Sequence, residues 1–196
     1  MIKYYVNDYG KFAIDTDFKG IEVKMTRFPD LWDWREVKRR ALVTVGLKAV
    51  TAPCDNWKEE ILKARHSPIR DIRFSFDITC PYWVSTHLVR HVHAQPYVRS
   101  QRNDRQSEYD RNAARQDAPV QMIWDMNADE LLTIAQKRLC LMASPETRAV
   151  VRLMCELVKQ QCPEFSNVLK PACEWQGGVC HEYKGGCGRW KKNVNG

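Results

Sequence analysis

The residues best suited to chemistry lie close together, in residues 74–102 of the 196-residue chain. Seven polar side chains of this segment could meet a ligand: His87, Arg90, His91, His93, Ser100, Gln101 and Arg102. Arginine presents a planar fork of hydrogen-bond donors that suits a phosphate or the carbonyl edge of a pyrimidine. A neutral histidine donates through one ring nitrogen and accepts through the other. The segment predicts a site for an anionic nucleotide or phosphate; the alternative is a charged helix end with satisfied histidines.

The elements that must position these side chains are a strand, a helix and an extended stretch. Residues 74–79 alternate between apolar and polar side chains, which predicts a half-buried strand. Pro81 suits the opening of a helix, which we predict over about residues 82–92. Residues 94–119 combine little apolar periodicity with many arginines, and this predicts a long loop or a partly ordered segment.

The rest of the chain predicts an α+β fold with a helical majority and a small antiparallel sheet. Residues 1–28 alternate as strands do, and residues 31–50 have the three-and-four spacing of an amphipathic helix. Asn127 is a candidate N-cap for one further helix. Ser144, followed by Pro145, is a strong start for another.

Composition and charge narrow the class of protein. The chain has 31 Lys+Arg against 24 Asp+Glu, a net charge of +7, which suits nucleotides, nucleic acid or phosphate-bearing cofactors as partners. A hydrophobic content of 44% argues against wholesale disorder. No apolar run approaches the roughly 20 residues that span a bilayer, and the first residues lack the apolar stretch of a secretory signal. We therefore expect no membrane association and a cytoplasmic location.

Eight cysteines are distributed unevenly along the chain. Cys54, Cys80, Cys140 and Cys155 stand among apolar neighbours, and we expect them in the core. Without a secretory signal the thiols should stay reduced, so a framework of disulfides is not expected.

The end of the chain differs in composition from the rest. We predict one domain over residues 1–172 and a Cys/Gly-rich tail over residues 173–196. The tail carries three thiols and an imidazole: Cys173, Cys180, His181 and Cys187. Zinc prefers four such ligands in a tetrahedron, although their spacing matches no standard zinc knuckle. A structural zinc site, free thiols and a disulfide are the three alternatives for this tail.

Four short motifs follow one another along the chain. His66-Ser67-Pro68 forms a turn before the FSF strand of residues 74–76. Arg90-His91-Val92 is followed by seven residues and then by Ser100-Gln101-Arg102. Trp124-Asp125-Met126-Asn127-Ala128 comes next, and Arg138 stands eleven residues after Asn127.

In this order the motifs resemble those of the flavin-dependent thymidylate synthases. That family's signature is Arg-His-Arg, seven residues and Ser, preceded by an FTF-type strand and followed by W-x-x-N-A-R. Arg138 occupies the place of the family's essential arginine. The resemblance covers about residues 35–170 and implies the family's α+β fold.

The resemblance also implies ligands and partners. It predicts a homotetramer with active sites between subunits, and FAD held by Ser67, Arg90, His91 and Asn127. It predicts dUMP, or a related pyrimidine nucleotide, held by the following residues: His87, Arg90, Ser100, Gln101, Arg102 and Arg138. Arg138 is the predicted catalytic residue, because it would lie against the pyrimidine and favour ionisation at N3. In the family, methylenetetrahydrofolate supplies the carbon, reduced flavin the hydride and NADPH the reducing equivalents for dTMP synthesis.

The chain departs from the family at several positions. Val92 replaces the second arginine of the signature, and Asp129 replaces the arginine of W-x-x-N-A-R and reverses its charge. His87 stands where the family usually has Gln, so the pyrimidine edge can be read differently. The stretch between Arg102 and Asn127 is also shorter than is usual in the family.

These departures keep other functions open. One is a variant reaction, such as methylation or hydroxymethylation of dCMP. A second is a non-catalytic nucleotide-binding protein that kept the fold and lost the flavin. A third is a nucleic-acid-binding protein that uses the arginine-rich segment of residues 99–115 and the tail. Nucleic acid is the least favoured partner, because these arginines do not alternate with aromatic residues and the tail has no known zinc-finger spacing.

Overall fold

A six-stranded antiparallel sheet forms the centre of the structure, a computed structural model that describes residues 1–7, 10–102, 110–183 and 185–190. The strands are β1 (Ile2–Asn7), β2 (Gly10–Asp15), β3 (Glu22–Arg27), β4 (Arg73–Pro81), β5 (Gln95–Val98) and β6 (Pro119–Asn127). They lie in the order β1-β2-β3-β4-β6-β5, and each neighbouring pair is antiparallel.

Helices cover one face of this sheet. They are α1 (Leu31–Val43), α2 (Asp55–Lys63), α3 (Tyr82–Leu88), α4 (Ala128–Arg138), α5 (Pro145–Gln161) and α6 (Ala172–Trp175), with short 3-10 helices over Ser67–Asp71 and Pro163–Phe165. The predicted α+β class is confirmed. Among the described residues, no helix has both the length and the apolar character needed to cross a bilayer.

The core lies between the sheet and α5. Along β4, Phe74, Phe76 and Ile78 are at most 2% exposed, whereas the residues between them are only half-buried. The predicted alternation is therefore confirmed, and the buried set faces the helices. Helix α5 packs against β2, β3 and β4 and buries an apolar stripe of its own: Val150, Val151, Met154, Leu157 and Val158.

Two predicted helix starts are confirmed. Asn127, the last residue of β6, caps α4 by accepting a hydrogen bond from the Glu130 backbone N–H at 2.9 Å. Ser144 caps α5 and accepts a hydrogen bond from the Thr147 backbone N–H at 3.4 Å. Because Asn127 ends the strand and caps the helix, α4 begins directly where β6 leaves the sheet.

The prediction of a loop over residues 94–119 is wrong at both ends. Residues 95–98 form β5, which pairs with β6 in the register Pro96↔Trp124, and β6 itself begins at Pro119. A four-residue strand that contains proline has too little sequence pattern to be detected without its partner. Residues 103–109 lie outside the described part of the chain.

Two of the four cysteines expected in the core are there. Cys80 and Cys155 are buried, and burial raises the pKa of each thiol to about 12, so both are unreactive. The expectation is wrong for Cys54, which is exposed, and for Cys140, which is only partly buried.

Candidate active site

The chain turns sharply after α3, and this turn places His91. Helix α3 ends at Leu88, so the prediction that it continues to residue 92 is wrong. The backbone N–H of His91 donates to the carbonyl of Leu88 at 3.1 Å, and the N–H of Ala94 donates to the carbonyl of His91 at 3.1 Å. The turn reverses the chain into β5. His91 therefore leaves the helix, and its ring packs on Trp124 of β6 with ring centroids 6.1 Å apart.

Arg138, the last residue of α4, reaches this turn. Its Nε donates to Nε2 of His91 at 3.0 Å, and its Nη2 donates to the backbone carbonyl of His87 at 3.2 Å. Burial lowers the pKa of Arg138, and the charge of Arg90 lowers it further. Arginine nevertheless stays protonated in proteins. The structure thus brings four of the predicted site residues together: His87, Arg90, His91 and Arg138.

The second ring nitrogen of His91 faces a carboxylate. Nδ1 lies 3.5 Å from Oε1 of Glu130, whose side chain is 7% exposed. Glu130 lies in the first turn of α4, eight positions before Arg138, so the two side chains leave the helix about 80° apart and about two turns apart along its axis. Glu130 is not among the residues predicted from the sequence. The signal available in the sequence was the spacing of Glu130, Ile134 and Arg138, which follow one another at intervals of four residues on one helix.

His87 is oriented from the other side, by the start of α5. Its Nδ1 lies 3.4 Å from Oγ1 of Thr147, which is fully buried. The hydroxyl of Ser144 donates to the same Thr147 oxygen at 2.7 Å. The ring of Trp83 meets the His87 ring edge to face at 5.5 Å. The Ser144 cap therefore also holds His87, through Thr147, a contact that was not predicted from the sequence.

The cations of this site have no counter-charge of their own. Within the described residues, neither Arg90 nor Arg138 forms an ion pair with a carboxylate, and Glu130 faces His91 instead. Two neighbouring guanidinium groups, one of them partly desolvated, repel each other. An anion between them would relieve this repulsion, so this end of α4 is suited to an anionic ligand.

The other predicted flavin ligands lie at the opposite end of α4. Asn127 caps the helix there, and Ser67 is exposed at the start of the 3-10 helix Ser67–Asp71. That 3-10 helix packs against α4 and β6. Helix α4 has 11 residues and is about 16 Å long, so Ser67 and Asn127 are not in the Arg138 cluster.

Asp129, which stands where the family has arginine, accepts hydrogen bonds from two arginines. Arg65 donates to it through Nε at 2.8 Å and also through Nη2, and Arg70 donates through Nε at 3.3 Å. Arg65 adopts a left-handed backbone conformation, with φ of 51°, at the turn before His66. Because two guanidinium groups meet one carboxylate, the cluster of Arg65, Arg70 and Asp129 is itself positively charged despite the substitution.

The segment of Ser100, Gln101 and Arg102 lies beside another strand. The backbone N–H of Arg99 donates to the carbonyl of Gln121 at 2.9 Å, which continues the pairing of β5 with β6. The backbone N–H of Arg102 donates to the Ser100 hydroxyl at 3.3 Å. These two backbone contacts hold the start of the segment beside β6. Val92, in place of the signature's second arginine, is 81% exposed.

The tail residues border one cavity of about 160 Å³ between α4 and α6. Its lining includes the four predicted zinc ligands together with Cys140: Cys140, Cys173, Cys180, His181 and Cys187. Burial raises the pKa of the Cys173 thiol, and the neighbouring Cys140 also raises it. In the described part of the chain, no three His, Cys, Asp or Glu side chains are arranged to hold a metal ion. The zinc site stays a prediction.

Two comparisons with known proteins bear on this geometry. Residues 106–164, which include β6, α4 and α5, match a family model described as "Thymidylate synthase complementing protein". The fold matches the crystal structure of a UMP/dUMP methylase, PolB, from Streptomyces cacaoi bound with 5-Br dUMP. That match has a TM-score of 0.59 and 14% sequence identity, and it covers 74% of this chain and 94% of PolB. No curated protein matches the sequence.

The family match and the fold match agree with each other and with the motif order. The matched region contains the N-cap Asn127, Glu130, Arg138 and Thr147. At 14% identity the likeness to PolB establishes the fold, while the family model covers the helices that carry the site. The predicted resemblance to the flavin-dependent thymidylate synthases is therefore confirmed over residues 106–164 by the family model, and the fold is confirmed by the likeness to PolB.

Proposed function

We propose that the protein transfers a one-carbon unit from methylenetetrahydrofolate to the pyrimidine ring of a deoxynucleotide, with dUMP as substrate and dTMP as product. The observation that carries this proposal is the pair of guanidinium groups, Arg90 and Arg138, with no carboxylate partner in the described residues. A nucleotide phosphate or an ionised pyrimidine would supply the missing negative charge. The structural neighbour PolB, a UMP/dUMP methylase bound with 5-Br dUMP, supports the same class of substrate.

Arg138 is the proposed catalytic residue. The described hydrogen bonds of its guanidinium use Nε and Nη2, so Nη1 can face a ligand. A planar donor placed against the pyrimidine would stabilise the negative charge that grows on the ring oxygens during carbon transfer. Partial burial strengthens this interaction, since less water screens the cation.

His87 is the residue that we propose to read the base. Its Nδ1 is directed at Thr147, so Nε2 is the ring nitrogen left to meet the pyrimidine edge. An imidazole nitrogen can donate to a uracil carbonyl or accept from a cytosine amino group, according to its tautomer. This is why dCMP remains an alternative substrate within the same proposal.

The residues at the other end of α4 fit the phosphates of FAD in charge and in donor type. Ser67 offers an exposed hydroxyl, and Arg65 and Arg70 together outweigh the charge of Asp129. We propose that these groups, with Arg90 and Asn127, hold the cofactor. Both ring nitrogens of His91 are engaged inside the chain, so His91 would act by orienting Arg138. When bound, FAD supplies the hydride that reduces the transferred carbon, and NADPH restores the reduced flavin.

The site is proposed to be shared between copies of the chain, in a homotetramer. The resemblance to the family, in which active sites lie between subunits, supports this arrangement. Size-exclusion chromatography with light scattering tests this, because a monomer at micromolar concentration would contradict a shared site.

The activity is tested with purified protein, FAD, NADPH, methylenetetrahydrofolate and dUMP labelled with tritium at C5. Release of tritium together with formation of dTMP is the expected result, and dCMP and UMP are assayed in parallel. Arg138→Ala serves as the inactive control. If no nucleotide is modified and added FAD neither binds nor shifts the melting temperature, the proposed reaction is wrong.

A nucleotide-binding protein without catalysis is the second candidate. Val92 favours it, since this exposed side chain supplies no cation where the family's signature has arginine. Binding of dUMP without a flavin spectrum and without product would support this candidate over the first.

A further inference from the structure

Three side chains form a line through the Arg138 end of the site. The carboxylate of Glu130 lies 3.5 Å from Nδ1 of His91, and Nε2 of the same ring accepts a hydrogen bond from Arg138 Nε at 3.0 Å. Glu130 and His91 are both nearly enclosed, with side chains that are 7% and 11% exposed. Water therefore competes little with these contacts.

The two groups on either side of the His91 ring, Glu130 and Arg138, determine its tautomer. An arginine Nε–H can only donate a hydrogen bond, so the Nε2 of His91 that accepts it must be unprotonated. A neutral imidazole then carries its proton on Nδ1, the nitrogen that faces Glu130. A carboxylate at that position only accepts, and its charge favours the Nδ1–H form over the other tautomer.

Helix α4 places the two charged residues where its dipole favours them. Glu130 lies in the first turn, where the helix dipole stabilises a negative charge, and Arg138 is the last residue, where it stabilises a positive charge. A separation of eight positions corresponds to a little over two turns, and the imidazole of His91 bridges the two long side chains across it.

We propose that Glu130 is a positioning residue: it fixes His91 in the Nδ1–H tautomer, and the bare Nε2 then holds Arg138 in its working orientation. The tautomer itself is a property of the folded chain. Only the consequence for turnover rests on the proposed function, in which Arg138 acts on the pyrimidine.

The first test reads the tautomer without any catalysis. In protein labelled with ¹⁵N-histidine at pH 7.5, we expect His91 to show a protonated Nδ1 and an unprotonated Nε2. Glu130→Ala should lose this pattern, whereas Glu130→Gln should keep it, because an amide oxygen can still accept from Nδ1–H. Glu164→Ala is the matched control, since Glu164 is also a buried glutamate, 8% exposed, but lies outside this site.

The second test asks whether Glu130 acts through His91. Glu130→Ala should lower kcat at least ~10-fold, the scale of losing an orienting partner, and change KM for dUMP much less. In a His91→Asn background the same change should have little further effect, because coupled residues are not additive. Glu130→Gln should recover most of the loss.

Three results would overturn the proposal. One is a protonated Nε2 on His91 of the wild-type protein, which needs no variant to be observed. Another is a Glu130→Gln protein that loses both tautomer and turnover as fully as Glu130→Ala does. The third is additive effects of the Glu130 and His91 substitutions. A wild-type protein with the expected tautomer but no methylation would remove the proposed function and leave the tautomer assignment standing.

Discussion

The two ends of helix α4 use arginine in opposite ways. At its N-terminal end, Arg65 and Arg70 both bind Asp129, so these guanidinium groups have a partner inside the chain. At its C-terminal end, Arg138 donates to a neutral ring and a carbonyl, with Arg90 nearby. The guanidinium groups at the N-terminal end share a carboxylate of the chain, whereas Arg90 and Arg138 pair with no carboxylate in the described residues.

This difference shows how the charge lost by a departure from a family's motif can be compensated by other residues of the chain. Asp129 reverses the charge of the position expected to hold arginine, yet two arginines from a neighbouring turn restore a positive balance there. At the Arg138 end, Val92 and His87 depart from the family, but the chain keeps Arg138, the cation that the proposed chemistry requires. The substitutions below change one end at a time.

The largest effect is expected at the C-terminal end, on turnover. Arg138→Ala should lower kcat by at least ~100-fold, the scale of losing one strong donor to developing charge. Arg138→Lys should recover only part of it, because an ammonium group cannot reproduce the planar fork. Turnover of dUMP to dTMP is the measurement.

The neighbouring Lys137→Ala is the control for this change, since Lys137 is exposed and next to Arg138 in sequence. FAD binding should survive both arginine substitutions. An Arg138→Ala protein with near wild-type turnover would remove Arg138 from the chemistry.

At the N-terminal end the expected effect is on stability. Asp129→Ala should lower the free energy of unfolding by about 2 kcal/mol, because it removes charged hydrogen bonds and leaves Arg65 and Arg70 side by side without a counter-charge. Urea denaturation measures this. Asp117→Ala is the matched control: its pair with Arg115 is exposed and screened by water, so the change should alter the free energy of unfolding much less than Asp129→Ala does. Equal losses in the two proteins would mean that the Asp129 cluster is an ordinary surface contact.

A smaller effect is expected from His87, on the choice of base. His87→Gln should change the ratio of dUMP to dCMP turnover by ~10-fold, the scale of one hydrogen bond gained or lost at the ring edge. His93→Gln, the same change at an exposed histidine, should leave the ratio unaltered. Competition of the two nucleotides in one reaction measures the ratio, and an unchanged ratio in His87→Gln would place base recognition elsewhere.

The tail should matter least to the site. If Cys173, Cys180, His181 and Cys187 hold zinc, the purified protein carries about one metal per chain and Cys180→Ser lowers that content. The melting temperature should fall by at least ~2 °C, while nucleotide affinity stays the same. Elemental analysis with Cys54→Ser as control measures this, and metal well below one per chain in the wild type would favour free thiols.

Local signals predicted part of this structure. The caps Asn127 and Ser144 and the alternation along β4 are encoded in a few adjacent residues, and all are confirmed. The order of the motifs predicted the class of fold and the resemblance to the family. The short β5 and the early end of α3 depend on pairing with β6, which no local pattern records.

For the site, the sequence predicted which residues take part but not how they contact one another. His87, His91 and Arg138 could be named from the sequence, but their hydrogen bonds could not. Glu130 and His91 are 39 positions apart, and only the return of α4 over the sheet brings them together. For the same reason the sequence showed Asp129 as a lost cation, without the two arginines that compensate for it.

The guanidinium groups of Arg90 and Arg138, at the C-terminal end of α4, are proposed to bind a negatively charged pyrimidine nucleotide. Isothermal titration of the FAD-saturated protein with dUMP, and separately with deoxyuridine, tests this most directly. We predict that dUMP binds at least ~10-fold more tightly than deoxyuridine, and that added salt weakens only the dUMP complex. Equal affinity for the two compounds, or no binding of any pyrimidine nucleotide, would contradict it.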